Sequence, residues 1–454
     1  MVRREYIRRC ELPVSAAEAF AWHARPGALQ RLLPPWQNVK VLDSTGGIRD
    51  GDRVTLRLGA GPFGKRYVAE HQNYVEGDSF EDAGGLWPVF HWRHTHRFES
   101  IDGNASALKD QIEYALPSAI TGLAVRELDR MFDFRHARTR GDLLAHARYK
   151  DLGAKRVLIS GATGLVGSEL SAFLTTGGHD VSSLTRHPKA ATDIAWSPAD
   201  GAVDTDRLAG FDAVVHLAGE SIVGRWSEKK KRKIRESRVQ GTRLLAESLA
   251  RLADKPKVLV CASATGFYGD RGAEILTEES RPGAGFLPDV CVEWERACQP
   301  AQDAGIRIVN VRIGLVLTPK GGLLGTLLPL FKAGLAGRVG DGRQWMSWIA
   351  IDDLVDVFHA AIMDEAIAGP VNATAPNPVT NIEFTKTLGR VLHRPTLLPA
   401  PSFAVRAMLG EAGNALALSG ARVLPARLRE RGHAYRFEDL EPALRFLLGR
   451  TQRG

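Results

Sequence analysis

From residue 156 onward, short apolar runs alternate with stretches whose apolar positions recur every three or four residues. The runs are "RVLIS", "DVSSLTR", "DAVVHLAG", "KVLVCAS" and "IRIVNVRIG". Between them lie "SELSAFLTTGG" and helical patterns over about 228–252 and 288–304. Apolar, β-branched runs separated by amphipathic helices predict a parallel sheet covered on both faces. The first 150 residues follow a different rhythm. "YIRRCELPV" predicts a strand, and "SAAEAFAWHARPGALQRL" a pair of short helices that begin at a Ser15 cap. Strands are expected over "RVTLRLG", "KRYVAEHQNYV", "HWRHTHRFES" and "SALKDQIEYALP", followed by a long helix over about 119–147. Two short helices, "SFAVRAMLGEAGNALALSG" and "DLEPALRFLLG", close the chain. The texture changes near "YKDLGAKRVLISGATG", which marks a seam. The expected organisation is thus an α+β domain over 1–150, an α/β domain over 155–390 and a small helical cap over 391–454.

Composition adds bounds. A chain of 454 residues exceeds one ordinary core. With 44% apolar and 25% charged residues it has the profile of a soluble globular protein. The net charge of +8 permits anionic ligands without calling for nucleic acid, and none is expected as a partner. No apolar run reaches the ~18 residues of a membrane span. The basic start "MVRREYIRRCELPVS" lacks a signal peptide's apolar stretch, and Glu5 and Glu11 argue against organelle targeting. Cys10, Cys261, Cys291 and Cys298 form no C-x-x-C pair, which fits reduced thiols and a cytoplasmic location.

The chemistry begins at "GATGLVGSEL", directly after "RVLIS". Gly161, Gly164 and Gly167 give G-x-x-G-x-x-G between a strand and a helix, the setting in which bare backbone N–H groups meet a pyrophosphate. Thr163, Leu165 and Val166 complete the expected contact, and Leu217, Ala218 and Gly219 of "HLAGE" should border the cofactor from a neighbouring strand end. An NAD site would carry an acidic residue about 20 positions past the loop. This chain has Arg186 there, 19 positions after Gly167. A guanidinium suits a 2′-phosphate, so NADP(H) is expected over NAD(H). His216 is read as a packed strand residue.

"GATGLVG", "HLAGE", "SATGFYGD", "RIGLVL" and "SWIAIDDL" together resemble the extended short-chain dehydrogenase/reductases of the nucleotide-sugar epimerase type. Residues 156–450 resemble most closely an epimerase-like oxidoreductase subfamily, some members of which carry the name cell division inhibitor. The resemblance implies a Rossmann-type doubly wound sheet, and chemistry that uses a Ser or Thr hydroxyl and a Tyr-x-x-x-Lys pair. The N-terminal order of strand, short helices, antiparallel sheet and long helix, with "AWHARPGALQRLLPPW" and "HWRHTHRFE", resembles the START-like helix-grip superfamily. That implies a curved sheet gripping a helix around an apolar cavity, with an apolar ligand as a candidate occupant.

The catalytic pair is missing. Four residues after the seven tyrosines stand Cys10, His71, Asp78, Ser118, Gly153, Gly272 and Asp439, none of them lysine. Where the family's hydroxyl is expected, four residues before Tyr268, this chain has Ala264, flanked by Ser263 and Thr265. Aligning Glu295 with a later Glu of the family puts Leu287 and Cys291 at the Tyr and Lys positions. Thr265, Tyr268 and Ser263 are the remaining candidate catalytic hydroxyls, and Glu220 is a candidate acid at the cleft.

Three further stretches compete for a role. "KKKRK" at 229–233 is read as a solvated basic helix face, with a phosphate-bearing substrate as a minor alternative. In "HWRHTHRF", His94 and His96 share a strand face with His91 nearby. No cysteine or carboxylate partner follows at ligand spacing, so no metal is expected and the histidines are read as cavity-lining or sheet-surface. "GDGRQWMSWIAIDDL" is read as a substrate-side loop entering a helix capped near Asp352, with Arg343, Gln344 and Trp345 either lining a pocket or packing. Two functions follow. One is an NADP-dependent oxidoreductase or epimerase acting on an unidentified small carbonyl or hydroxyl substrate. The other is a non-catalytic NADP(H) sensor acting on a protein partner.

Overall fold

The computed structural model describes residues 2–59, 61, 64–86 and 89–450. Its contacts divide the chain into two units. One runs to Ala154 and takes in Ala172–His179 and the residues from Phe446; the other comprises Lys155–Ser171 and Asp180–Arg445.

In the first unit, strand β1 (Val2–Leu12) precedes helices α1 (Ala16–Ala24) and α2 (Ala28–Leu32). Strands β2 (Val39–Ser44), β3 (Arg53–Leu58), β4 (Lys65–Val75), β5 (Ser79–Leu86), β6 (Val89–Ser100) and β7 (Ser106–Leu116) follow, and helix α3 (Thr121–Ala147) lies after the sheet in sequence. The strands form an antiparallel meander whose first strand returns to pair with β7, in the order β1-β7-β6-β5-β4-β3-β2. The Ser15 hydroxyl caps α1 by accepting from Glu18 N at 3.3 Å. Two strands, β2 and β5, carry no clear apolar alternation. In "SFEDAGGL" of β5 an inward Asp82 follows the inward Phe80, and this hides the period.

The inner face of this sheet holds two apolar clusters, one around Phe20, Phe80, Phe98 and Leu108, the other around Tyr6, Ile112, Tyr114 and Phe132. The stretch between them is polar: His94, His96 and Asp110 are all buried. The expected apolar interior is therefore interrupted by charge. The reason is register, because alternation turns Asp82, His94, His96 and Asp110 to the same face as their apolar neighbours.

The second unit opens with β8 (Arg156–Ser160), α4 (Leu165–Thr176, whose last residues fall in the first unit), β9 (Asp180–Thr185), β10 (Ile194–Ser197), β11 (Ala202–Val203) and β12 (Ala213–His216). Helix α5 (Glu228–Ala250), β13 (Val258–Ala264), β14 (Ile275–Leu276), α6 (Phe286–Arg296), α7 (Gln299–Asp303) and β15 (Arg307–Ile313) continue it. The single helix expected over 288–304 is two helices, since Pro300 in the first turn of α7 has no N–H to give a continuing helix. After the short strands β16 (Leu315–Leu317), β17 (Trp345–Met346) and β18 (Trp348–Ala350) comes β19 (Gly369–Ala373), and the main sheet has the order β11-β10-β9-β8-β12-β13-β15-β19, with every pairing parallel except β10 with β11. Chain direction across the sheet reverses between β8 and β12, which opens a crevice beyond their carboxyl ends. This is a doubly wound Rossmann-type sheet.

The C-terminal segment holds short helices at Ser402–Leu409, Ala426–Glu430 and Leu440–Leu447. It is tied to the α/β unit by a two-residue strand, Arg422–Val423, which pairs with β14. The helix at Ile351–Met363 begins at Ala350 with no side-chain cap. Asp352 is thus a buried first-turn residue and not the expected cap. Gln344 donates to the carbonyls of Val339 and Ala417, and Arg422 stacks on Trp345, so these two residues of the expected substrate loop are engaged in packing. No helix among the described residues is long and apolar enough to cross a membrane.

Candidate functional site

The glycine loop is shaped by contacts of its own backbone. Gly161 has φ +72°, and a Cβ there would lie 3.0 Å from the backbone of Leu217 and Ala218. A Cβ on Gly167 would stand 2.2 Å from the Gly161 carbonyl oxygen. Both glycines are therefore required for the loop to close on the first turn of α4. Gly164 N donates to Gly161 O at 2.9 Å. Thr163 and Gly164 are exposed, Leu165 and Val166 half-buried, and the helix begins at Leu165. First-turn N–H groups have no intrahelical acceptor, and together with the helix dipole they suit an anion.

The neighbouring strand end is locked to this loop. The Ser160 hydroxyl and His216 Nδ1 are 2.6 Å apart, and the same hydroxyl accepts from Leu217 N and Ala218 N at 3.2 and 3.3 Å. His216 is fully buried, and burial pushes its pKa down to about 4, so it is a neutral strut. Leu217 and Ala218 are half-buried and Gly219 is exposed beside the Arg238 guanidinium. On the other side of β8, Leu184 pairs with Ser160, and Arg186 follows two residues later. Arg186 is exposed, as are His187 and Lys189, and it has no ion-pair partner among the described residues.

The candidate catalytic residues divide. Tyr268 is 0% exposed. Its hydroxyl donates to Asn372 Oδ1 at 2.7 Å and accepts from Arg312 Nη1 at 3.0 Å. Burial raises its pKa, only partly offset by Arg312. Ser263 donates to Glu295 Oε1 at 2.7 Å, and Arg312 clamps Glu295 with Nε and Nη2 at 2.8 and 2.9 Å. The Arg312 guanidinium also lies 3.5 Å from the centre of the Phe267 ring. Ser263 and Tyr268 thus belong to one buried network that consumes their hydroxyls. Thr265 is half-buried, and its hydroxyl has no hydrogen-bond partner among the described residues.

Glu220 differs from an acid in waiting. It accepts from Lys230 Nζ at 2.6 Å, which depresses its pKa, and its side chain is 41% exposed. A carboxylate held ionised in this way is a poor proton donor at neutral pH. The same pair settles the "KKKRK" stretch: Lys230 meets Glu220 and Lys231 meets Glu411 at 2.7 Å, while Lys229, Arg232 and Lys233 are exposed. The anions that favour this basic helix start are the protein's own carboxylates.

From α6, Leu287 and Cys291 face the turn at Gly266, whose Cβ would lie 3.5 Å from Leu287 Cβ and 4.0 Å from Cys291 Sγ. Burial pushes the Cys291 thiol up to about 12. Neither residue can hand on a proton at neutral pH. Sequence reasoning missed the Arg312–Glu295 clamp. Its signal was an arginine inside the apolar strand "IRIVNVRIG", where an ion needs a partner.

Comparisons with known proteins identify the family. Residues 157–373 match the NAD dependent epimerase/dehydratase family, residues 400–447 a domain of unknown function (DUF1731), and residues 12–133 the polyketide cyclase/dehydrase and lipid transport family. An epimerase family protein of Mycobacterium leprae is 41% identical over 292 residues, which cover 64% of this chain and 94% of that one. The Bacillus subtilis epimerase family protein YfhF is 38% identical, over 64% and 97%. A nucleoside-diphosphate sugar epimerase from Corynebacterium glutamicum is similar over 99% of this chain and 90% of its own, with TM-score 0.82 and 36% identity. The human epimerase family protein SDR39U1, solved with NADPH, matches 64% of this chain and 99% of its own at TM-score 0.61 and 33% identity. The chain belongs to the epimerase family of extended short-chain dehydrogenase/reductases, and it carries an N-terminal START-like domain.

Proposed function

We propose that this protein binds NADP(H) at the β8–β12 crevice and exchanges hydride with a small carbonyl or hydroxyl substrate. The observation that carries the reading is the paired glycine closure: Gly161 and Gly167 leave no room for a Cβ on either side of the helix start. Gly161, Thr163, Gly164, Leu165, Val166 and Gly167 would cradle the pyrophosphate with backbone N–H groups. Leu217, Ala218 and Gly219 would border the cofactor at the β12 end. Arg186, exposed and without an ion pair among the described residues, would hold the 2′-phosphate. The relative solved with NADPH supports the choice of nucleotide. Nicotinamide, when bound, supplies or takes the hydride. The Thr265 hydroxyl has no hydrogen-bond partner among the described residues, so it is the group assigned to orient a substrate oxygen. The proton is exchanged with water, since Leu287 and Cys291 stand where the family's pair is expected. A cytoplasmic location fits the four free thiols.

The second reading, an NADP(H)-responsive protein that regulates a partner, draws on that same lack of a proton carrier facing Gly266. One experiment separates the two. Purified protein is titrated with NADPH and NADH, then incubated in single turnover with a panel of carbonyl compounds. NADPH preference that falls about 10- to 100-fold in Arg186→Ala, with NADH binding unchanged, supports the nucleotide assignment. Oxidation of bound NADPH by a compound on the panel supports the enzyme, and tight binding without oxidation moves the protein to the second reading. If neither nucleotide binds, both readings fail.

A further inference from the structure

The buried polar cluster of the START-like domain has no part in nucleotide chemistry, and its geometry is specific. His94 and His96 project from the same face of β6. Asp82 stands opposite His94 on β5, and Asp110 opposite His96 on β7. Asp82 Oδ2 lies 3.2 Å from His94 Nδ1 and 3.8 Å from His96 Nε2. One ligand atom from each of Asp82, His94 and His96 can be chosen with all three within 4.8 Å of one another. Bonds of ~2.1 Å at tetrahedral angles would separate ligand atoms by about 3.4 Å, midway between the two observed distances.

The far nitrogens lie beside Asp110. Asp110 Oδ1 lies 2.8 Å from His94 Nε2 and 2.8 Å from His96 Nδ1. Asp110 Oδ2 receives His136 Nε2 from α3 at 2.6 Å. The bond to His94 Nε2 leaves that ring's Nδ1 lone pair facing Asp82, the arrangement by which proteins orient metal-binding histidines, whereas His96 Nδ1 sits beside the same oxygen without a hydrogen-bond partner among the described residues. The ring positions are fixed by packing as well. His96 stacks on Phe80 at 4.4 Å, and His94 meets Phe132 edge-on at 5.5 Å.

Two more histidines border the cluster. His71 packs against Phe80 and His23 against His96, and each has a buried nitrogen, Nδ1 and Nε2 respectively, with no hydrogen-bond partner among the described residues. Asp82 keeps 19% of its side chain exposed, which gives an ion a way in.

We propose that Asp82, His94 and His96 form a binding site for a divalent first-row transition-metal ion, oriented by Asp110 and His136. Two imidazoles and one carboxylate are a donor set suited to Zn²⁺, Fe²⁺ or Co²⁺. Three protein ligands leave at least one position for water or for an oxygen donor of a ligand held against the sheet. The domain would then take a ligand with a metal-binding oxygen beside an apolar body, instead of a purely apolar one. The rival occupant of the same place is a proton. Burial works against charge on His94, but its contacts with Asp110 and Asp82 outweigh it and raise the pKa to about 9. Without a metal, that proton offsets one of the two carboxylate charges.

The test uses the full-length, untagged protein stripped with a chelator and titrated with Co²⁺, followed by visible absorption and equilibrium dialysis. The expected result is one ion per chain, with the d–d bands of a four- or five-coordinate site, displaced by Zn²⁺. His94→Ala and His96→Gln should each weaken binding by at least about 100-fold, and Asp110→Asn by about 10- to 100-fold. His91→Ala, on the opposite strand face, should bind as the parent does. Where a variant fails to fold, the parent alone decides: its melting temperature should climb with Co²⁺ concentration, and X-ray absorption should report two imidazole ligands. Absence of binding by the parent, a spectrum of hexa-aqua type, or unchanged stoichiometry in folded His94→Ala would overturn the proposal and leave a proton-balanced network.

Discussion

The glycine loop and the His–Asp cluster are two constructions made in opposite ways. The loop is built from backbone, over seven consecutive residues, and its closest contacts are a carbonyl and two peptide planes. The cluster is built from side chains brought by β5, β6, β7 and α3, with Asp82 and His136 more than 50 positions apart in the chain. A backbone site is specified by which residues lack a Cβ. A side-chain site is specified by which strands pair and in what register. The clamp around Arg312 is a second case of that side-chain kind, joining β13, α6, β15 and β19 through Ser263, Glu295, Arg312, Tyr268 and Asn372.

If the loop depends on missing side chains, the smallest addition should do the most damage. Gly167→Ala, whose Cβ would meet the Gly161 oxygen at 2.2 Å, should lower NADPH affinity by more than about 100-fold, whereas Gly164→Ala, with a 3.2 Å contact, should cost far less. Nucleotide titration of the two variants, with circular dichroism as the check on folding, ranks them; equal effects would break the comparison.

The side-chain network should fail by losing one partner of a buried ion. Arg312→Met leaves Glu295 unpaired and should destabilise the α/β unit by about 3–5 kcal/mol in denaturant unfolding. The double variant with Glu295→Leu should recover most of it, as removal of both charges also removes the desolvation penalty.

The strut beneath the loop gives a pH signature. The folded pKa of His216, about 4, lies below its ordinary 6.5, so between these values the unfolded chain binds the extra proton. Stability should therefore rise with pH across that window and be fully present above it. Acidification should remove on the order of 3 kcal/mol. Unfolding midpoints measured from pH 7 to 4 should show this slope, and His216→Asn should flatten it.

The smallest effect separates structure from chemistry at one hydroxyl. Tyr268→Phe should cost about 1 kcal/mol of stability by leaving Asn372 and Arg312 one bond short, and should leave NADPH affinity and single-turnover rate unchanged. A fall in rate at unchanged stability would return Tyr268 to the chemistry.

Much of the fold was legible because it repeats locally. The parallel strands announce themselves as apolar runs, and the Ser15 cap and the strand–glycine–helix order need no knowledge of distant residues. Strand β5 escaped because its inward Asp82 breaks the alternation, and that aspartate is also the residue absent from any ligand spacing in the sequence. Tyr268 and Ser263 were readable as hydroxyls beside a strand end. That both were already bonded depended on Glu295 for Ser263 and on Arg312 and Asn372 for Tyr268, all more than 30 positions away.

The sequence by itself determined the family, the two kinds of sheet and the glycine closure, since each rests on residue type within a short window. Only the tertiary structure decided which polar groups are spent and which remain open. Hydrogen bonds and ion pairs form over about 3 Å, and proximity on that scale between β5, β6, β7 and α3, or between α6 and β15, is a product of strand register and helix packing that no spacing along the chain records.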